Sequence, residues 1–147
     1  MKEKLLQFCW DYVNGKMENL QKRSDALQES LNSETKSSAG DKHETGRAMV
    51  QLEQEKLGKQ LFEVEQMKRL LQKVAIEKVP HKVALGSLVK TSTSKYFISI
   101  SAGEFKTKDI SVFCVSPSSP ISKALLGKET KEVFLFNGMQ KEILEIS

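Results

Sequence analysis

Apolar or small side chains recur at Leu6, Trp10, Val13, Met17, Leu20, Ser24, Leu27 and Leu31, at alternating spacings of four and three residues. A stripe of that period stays on one side of an α-helix only when the helix winds against another, so this stretch predicts a coiled-coil seam. The run Asn32-Ser33-Glu34-Thr35-Lys36-Ser37-Ser38-Ala39-Gly40 is too polar and turn-rich to continue it. A second helical pattern follows through Val50, Leu57, Val64, Met67, Leu71 and Val74.

The two patterns fit one another. In an antiparallel hairpin, facing residues have position numbers of constant sum. A sum of 77 pairs Leu27 with Val50, Leu20 with Leu57, Val13 with Val64, Trp10 with Met67 and Leu6 with Leu71, and it centres the turn on Ser38/Ala39. The same seam fits a parallel or four-helix dimer, but five apolar pairs in one register favour an intramolecular hairpin in a monomer. With about 30 residues per arm and about 1.5 Å of rise per residue, the hairpin predicts a rod roughly 45 Å long.

Beyond this hairpin the chemistry changes. All three prolines, Pro80, Pro117 and Pro120, and six of the seven phenylalanines lie past residue 60. Residues 1–75 carry 13 Lys+Arg against 12 Asp+Glu, whereas 76–147 carry 10 Lys, no Arg and 7 acids. The expected organisation is a hairpin over 1–75 with an acidic tip near 33–46, a linker over 76–81, and a second domain over 82–147. In that domain Val83–Thr91, Lys95–Ser101 and Ile110–Val115 read as strands. Ser119-Pro120 opens a short helix that Gly127 closes. Glu132–Phe136 and Gln140–Ile146 flank Asn137-Gly138 as a hairpin. Strands before and after a single helix make this an α+β unit, its sheet packed on that helix.

The apolar runs are too short to span a membrane. The charged N-terminus, Met1-Lys2-Glu3-Lys4, lacks the pattern of a signal peptide. Cys9 and Cys114, far apart and outside any CxxC, suggest neither a disulfide framework nor a zinc site, so a reduced cytoplasm is expected. Neither GxGxxG nor GxxxxGK[ST] occurs. Cys114, within Val112-Phe113-Cys114-Val115, reads as a small buried hydrophobe.

The hairpin tip carries the most chemistry. Asp41 and Glu44 are three apart, so at a helix start both carboxylates can project to one side. Such a pair can complete the shell of a Mg²⁺ ion whose other ligands belong to a partner. The plainer alternative is a capping box, with Asp41 at the N-cap and Glu44 closing it. His43 reads as a solvated loop residue. Lys42 and Arg47 are cations able to meet phosphate.

The block Ser116-Pro117-Ser118-Ser119-Pro120-Ile121-Ser122-Lys123-Ala124-Leu125-Leu126-Gly127-Lys128 resembles the C-terminal signature of the bacterial Gre transcript-cleavage factors, GreA and GreB. Leu85-Gly86-Ser87-Leu88-Val89, Tyr96-Phe97-Ile98 and Glu142-Ile143-Leu144-Glu145-Ile146 are similar to other strands of that family in the same order. The hairpin and Gly40-Asp41-Lys42-His43-Glu44 match its architecture and tip. After Glu44 this chain has Thr45-Gly46-Arg47-Ala48 where the family has Asn-Ala-Glu-Tyr.

The resemblance implies a regulator that docks on RNA polymerase through an FKBP-like C-terminal domain and inserts its coiled coil into the secondary channel. Asp41 and Glu44 would help to hold a Mg²⁺ ion shared with the polymerase, which then cleaves the 3′ end of backtracked nascent RNA. The chain itself would be no enzyme and would carry no cofactor of its own. DNA in the same complex is a further expected neighbour. Ser119, Pro120, Lys123 and Lys128 are the expected docking contact. Two alternatives stand beside this: a channel-binding inhibitor that does not stimulate cleavage, and an FKBP-like prolyl isomerase or chaperone.

Overall fold

The computed structural model describes the backbone of residues 1–35 and 40–147, and side chains over the same residues except 34, 35 and 40–45. Two long helices, α1 (Lys2–Thr35) and α2 (Gly40–Gln72), precede a six-stranded mixed sheet and one short helix. The fold is therefore α+β, a helical hairpin followed by a sheet domain, as the sequence pattern leads one to expect. Among the described residues no helix is long and apolar enough to cross a membrane.

The chain divides into two compact units, Val13–Met67 on the one hand and Met1–Tyr12 with Lys68–Ser147 on the other. Within Val13–Met67 the buried residues are Val13 and Leu20 on α1 and Val50, Leu57 and Val64 on α2. The α2 set repeats every seven residues, so one narrow stripe faces the other arm. Leu27 and Leu31 are only half-buried.

In the sheet unit the seam departs from the sequence expectation. Leu5 and Cys9 are 0% exposed, whereas Leu6 and Trp10, the expected seam positions, are half-buried. The cause is a second surface that the start of α1 must cover. Phe8 meets the ring of Phe105 edge-on at 5.4 Å between centroids, and Cys9 contacts Ser99. The buried row therefore turns by one position towards the sheet.

The strands are β1 (Leu88–Thr91), β2 (Lys95–Ile98), β3 (Gly103–Lys106), β4 (Ser111–Val115), β5 (Val133–Phe136) and β6 (Met139–Ile146), with α3 (Pro120–Leu125) between β4 and β5. Their order across the sheet is β3-β4-β2-β1-β6-β5. β2 and β4 are parallel, and the other pairs are antiparallel. Val89, Tyr96, Ile98, Phe134, Ile143 and Ile146 pack with Ile121 and Leu125 of α3 into one core. Phe97 and Cys114 are direct neighbours across β2 and β4, and they belong to the opposite face.

Three local features differ from the sequence expectation. β1 starts at Leu88 rather than Val83, because residues 84–87 turn: the Ser87 N–H donates to the Ala84 carbonyl, and the Ala84 N–H donates to Ser87 Oγ at 2.9 Å. Gly86 holds φ +90 there, and a Cβ on it would stand 3.0 Å from the Ala75 carbonyl oxygen. β3 is an edge strand that the sequence reading passed over. β6 carries an irregularity opposite Lys90/Thr91, where Thr91 pairs with Ile143 and Lys90 with Glu145. The extra residue, Leu144, breaks the two-residue alternation, so Ile143 and Ile146 both reach the α3 core.

Candidate functional site

The tip begins where α2 begins. Asp41 and Glu44 lie in its first turns, but their side chains lie outside the described residues, as does the predicted turn centre at Ser38/Ala39. Arg47 is described: it is exposed on α2, three residues past Glu44. Below the tip, Arg23 on α1 joins Glu53 and Gln60 on α2, with donor–acceptor distances of 3.0 Å and 3.3 Å.

The predicted docking contact is built around α3. Ser119 takes an extended conformation as its N-cap, its Oγ accepting from the Ser122 N–H at 3.3 Å and donating to the Ser116 carbonyl. Pro120 follows in the first turn, where a missing N–H costs nothing. Gly127, at φ +81, ends the helix, and its N–H donates to the Val83 carbonyl. Ile121, Ser122 and Leu125 are buried, which leaves Pro120 and Lys123 exposed and Lys128 half-exposed. Ser119 is therefore occupied by capping, whereas Pro120 and Lys123 are open to a partner. The Lys128 carbonyl accepts from Val83 N–H at 2.8 Å, so its backbone is held by the fold.

Further positive charge lies along the sheet. Lys90 and Lys95 are directly opposed across β1 and β2. They flank an open groove lined also by Thr91, Thr93, Ser94 and Asp109. Like charges placed opposite one another repel, and Asp109 brings an opposite charge to the same groove.

A cluster that the sequence did not announce joins residues far apart in the chain. Cys9 Sγ and Ser99 Oγ are 3.3 Å apart, and Cys114, which pairs with Phe97 across β2 and β4, is buried as well. The neighbouring Cys114 thiol, with Ser99 and the Ile100 backbone, holds the Cys9 thiol below its ordinary pKa despite burial. The neighbouring Cys9, together with burial, pushes the Cys114 thiol well above the ordinary range. Among the described residues no group of acids, histidines and cysteines is arranged to hold a metal ion.

No protein-family model matches the chain, and no curated protein matches it. Two solved structures align with almost all of it. One is a structure of the transcription factor Gfh1, 18% identical, covering 96% of this chain and 92% of that one at a TM-score of 0.36. The other is a crystal structure of GreA factor homolog 1 (Gfh1) protein of Thermus thermophilus, 17% identical, covering 97% and 94% at a TM-score of 0.35.

Proposed function

We propose that this chain is a Gre-like transcription regulator that acts on RNA polymerase. The observation that carries this reading is the coincidence of motif and element. The Ser-Pro…Ala-Leu-Leu-Gly-Lys block, which supplies the most specific sequence resemblance, forms the capped helix α3 of an α+β domain that follows a long helical hairpin. In this reading the hairpin enters the secondary channel, and the Asp41 and Glu44 carboxylates add ligands to a Mg²⁺ ion held mainly by the polymerase. The chain does no chemistry alone. It raises the polymerase's own hydrolysis of the 3′ end of backtracked RNA, in the presence of template DNA. Docking falls to the lysine-bearing surface of the sheet domain, with Pro120 and Lys123 exposed for it.

The test uses a stalled, backtracked polymerase complex and the full chain. Asp41→Ala and Glu44→Ala should each abolish stimulated cleavage while leaving polymerase binding intact. Wild-type cleavage by both variants would overturn the tip assignment.

A second reading, a channel-binding inhibitor, is favoured by one observation. Arg47 puts an exposed cation close behind the tip acids, where the Gre pattern has an acid. Positive charge there opposes Mg²⁺ recruitment by Coulomb repulsion. Slowed elongation without 3′ cleavage products, relieved by Arg47→Glu, would select this reading. The isomerase reading has less to work with. Tyr96, Phe97 and Phe134 are buried in the fold rather than lining a cleft, so an X-Pro peptide assay should show no activity.

A further inference from the structure

The two edges of the sheet are built differently. β3, at one edge, carries Glu104 and Lys106, charges that discourage another strand from pairing with it. β5, at the other, reads Val133-Phe134-Leu135-Phe136, with no charge and neither glycine nor proline. Its backbone is only half used. The Ile143 N–H donates to the Glu132 carbonyl at 2.9 Å, and Phe136 pairs with Met139 across the two-residue turn, so the bonds to β6 fall to Glu132, Phe134 and Phe136. The N–H and C=O groups of Val133 and Leu135 therefore point away from β6, and among the described residues no backbone hydrogen bond from another element reaches them. The side chains of the same two residues are 49% and 68% exposed. Open donors, open acceptors and bare apolar side chains on one strand make a template for a further strand.

We propose that β5 is a self-association surface whose partner is β5 of a second copy of this chain, laid antiparallel about a two-fold axis at Phe134. Ladder parity restricts the register, because bonds form only where outward-pointing groups meet outward-pointing groups. Val133 of each copy then lies opposite Leu135 of the other, Phe134 opposite Phe134, and Glu132 opposite Phe136. Both Val133–Leu135 pairs exchange the open hydrogen bonds and cover one another's apolar side chains. Sliding by two residues sets Val133 against Asn137 or Leu135 against Lys131, so only this register matches every apolar residue of β5 that it pairs with open bonds. Charge agrees with it. Lys141 Nζ stands 5.4 Å from the Phe136 ring centroid, so the register brings the Glu132 carboxylate of each copy towards the Lys141 ammonium of the other. Glu132 Oε2 accepts from the Glu129 N–H, and Oε1 is left for that cation. The contact is closed by its own symmetry, and the charged β3 edge does not extend it, so association stops at a dimer.

The experiment is sedimentation equilibrium on the full-length chain under reductant, over a range of concentrations. The expected result is a monomer–dimer equilibrium with nothing larger. Leu135→Lys, at a position the fold leaves exposed, should weaken the dimer by about tenfold or more, since it sets a cation in the shared ladder. Its dilute monomer should melt as wild type does, and should it fail to fold, Val133→Lys on the same face decides. Leu52→Lys, exposed to a similar degree on α2, should leave the dimer intact. Glu132→Lys should weaken it, and Glu132→Lys with Lys141→Glu should restore it. A chain that stays monomeric at every concentration, a dimer that survives Leu135→Lys, one that Leu52→Lys abolishes, or a charge exchange that restores nothing would each overturn the proposal.

Discussion

The Arg23 guanidinium donates to Glu53 at 3.0 Å from one hairpin arm to the other, and its second nitrogen reaches the Gln60 side chain. This pair sits one position off the sum of 77 that aligns the apolar seam, so it flanks the seam and fastens the same register. Both side chains are about 40% exposed. Solvent screening therefore limits the pair, and a double-mutant cycle with Arg23→Ala and Glu53→Ala should return a coupling of about 0.2–1 kcal/mol that shrinks with added salt.

The seam itself should matter more. Leu57 and Leu20, paired in the sum-of-77 register, are both buried, and Leu57→Ala removes apolar volume that the narrow interface cannot refill. Denaturant unfolding should show a loss of about 2–4 kcal/mol. Leu52, exposed on the same helix, supplies the control: Leu52→Ala should change stability by less than about 0.5 kcal/mol.

Much of this architecture is legible in the sequence because its signals are local. The seven-residue repeat of Val50, Leu57 and Val64 reveals α2, the Ser119…Gly127 pair brackets α3, and Asn137-Gly138 marks a two-residue turn. Asn137 and Gly138 indeed both hold positive φ, and Phe136 pairs with Met139 across them. β3 was illegible for a physical reason. As an edge strand it has one neighbour, and Phe105 is its only large apolar residue. The shift from Leu6 and Trp10 to Leu5 and Cys9 was illegible too, since it depends on a sheet that α1 meets only after folding. Cys9 and Cys114 are brought together by tertiary structure alone, and no spacing rule links them. Asp41 and Glu44 were singled out by sequence, and their side chains lie outside the described residues.

Gly86 combines positive φ with a close backbone neighbour, the Ala75 carbonyl at 3.0 Å from any added Cβ. Gly86→Ala should therefore destabilise by more than the roughly 1 kcal/mol that the backbone conformation alone costs. Gly138→Ala isolates that conformational cost, because nothing lies within 4 Å of its Cβ direction. Thermal unfolding of the two variants side by side should rank Gly86→Ala clearly lower.

Protonation of the thiol pair sets a stability profile. Cys9 is held below the ordinary cysteine value of 9.0 and Cys114 above it. As pH rises through the lowered Cys9 value, the folded chain gives up the Cys9 proton while the unfolded chain still holds its own, so stability rises with pH. Above pH 9.0 the unfolded chain releases both protons and the folded chain keeps the one on Cys114, so stability falls. The pair's contribution should pass through a maximum below pH 9.0, between the lowered Cys9 value and the ordinary one. Subtracting the unfolding free energy of the Cys9→Ala/Cys114→Ala double variant from that of wild type, under reductant, should display this maximum. A monotonic difference would contradict the opposed shifts of the two thiols.

The sheet domain should not stand alone when cut at the predicted linker. Its compact unit includes Met1–Tyr12 and Lys68 onwards, and the face bearing Phe97 and Cys114 lies where Phe8 and Cys9 reach the sheet. A fragment of residues 76–147 lacks Leu5, Cys9 and Leu71, all buried in the full chain. Apolar surface that these side chains cover would then face water, at a cost of about 25 cal/mol for each Å² exposed. The fragment should bind a hydrophobic dye and lose its cooperative thermal transition, whereas the full chain should do neither. A fragment that melts as sharply as the full chain would show that the α3 core suffices, and that the first turns of α1 add only a cover.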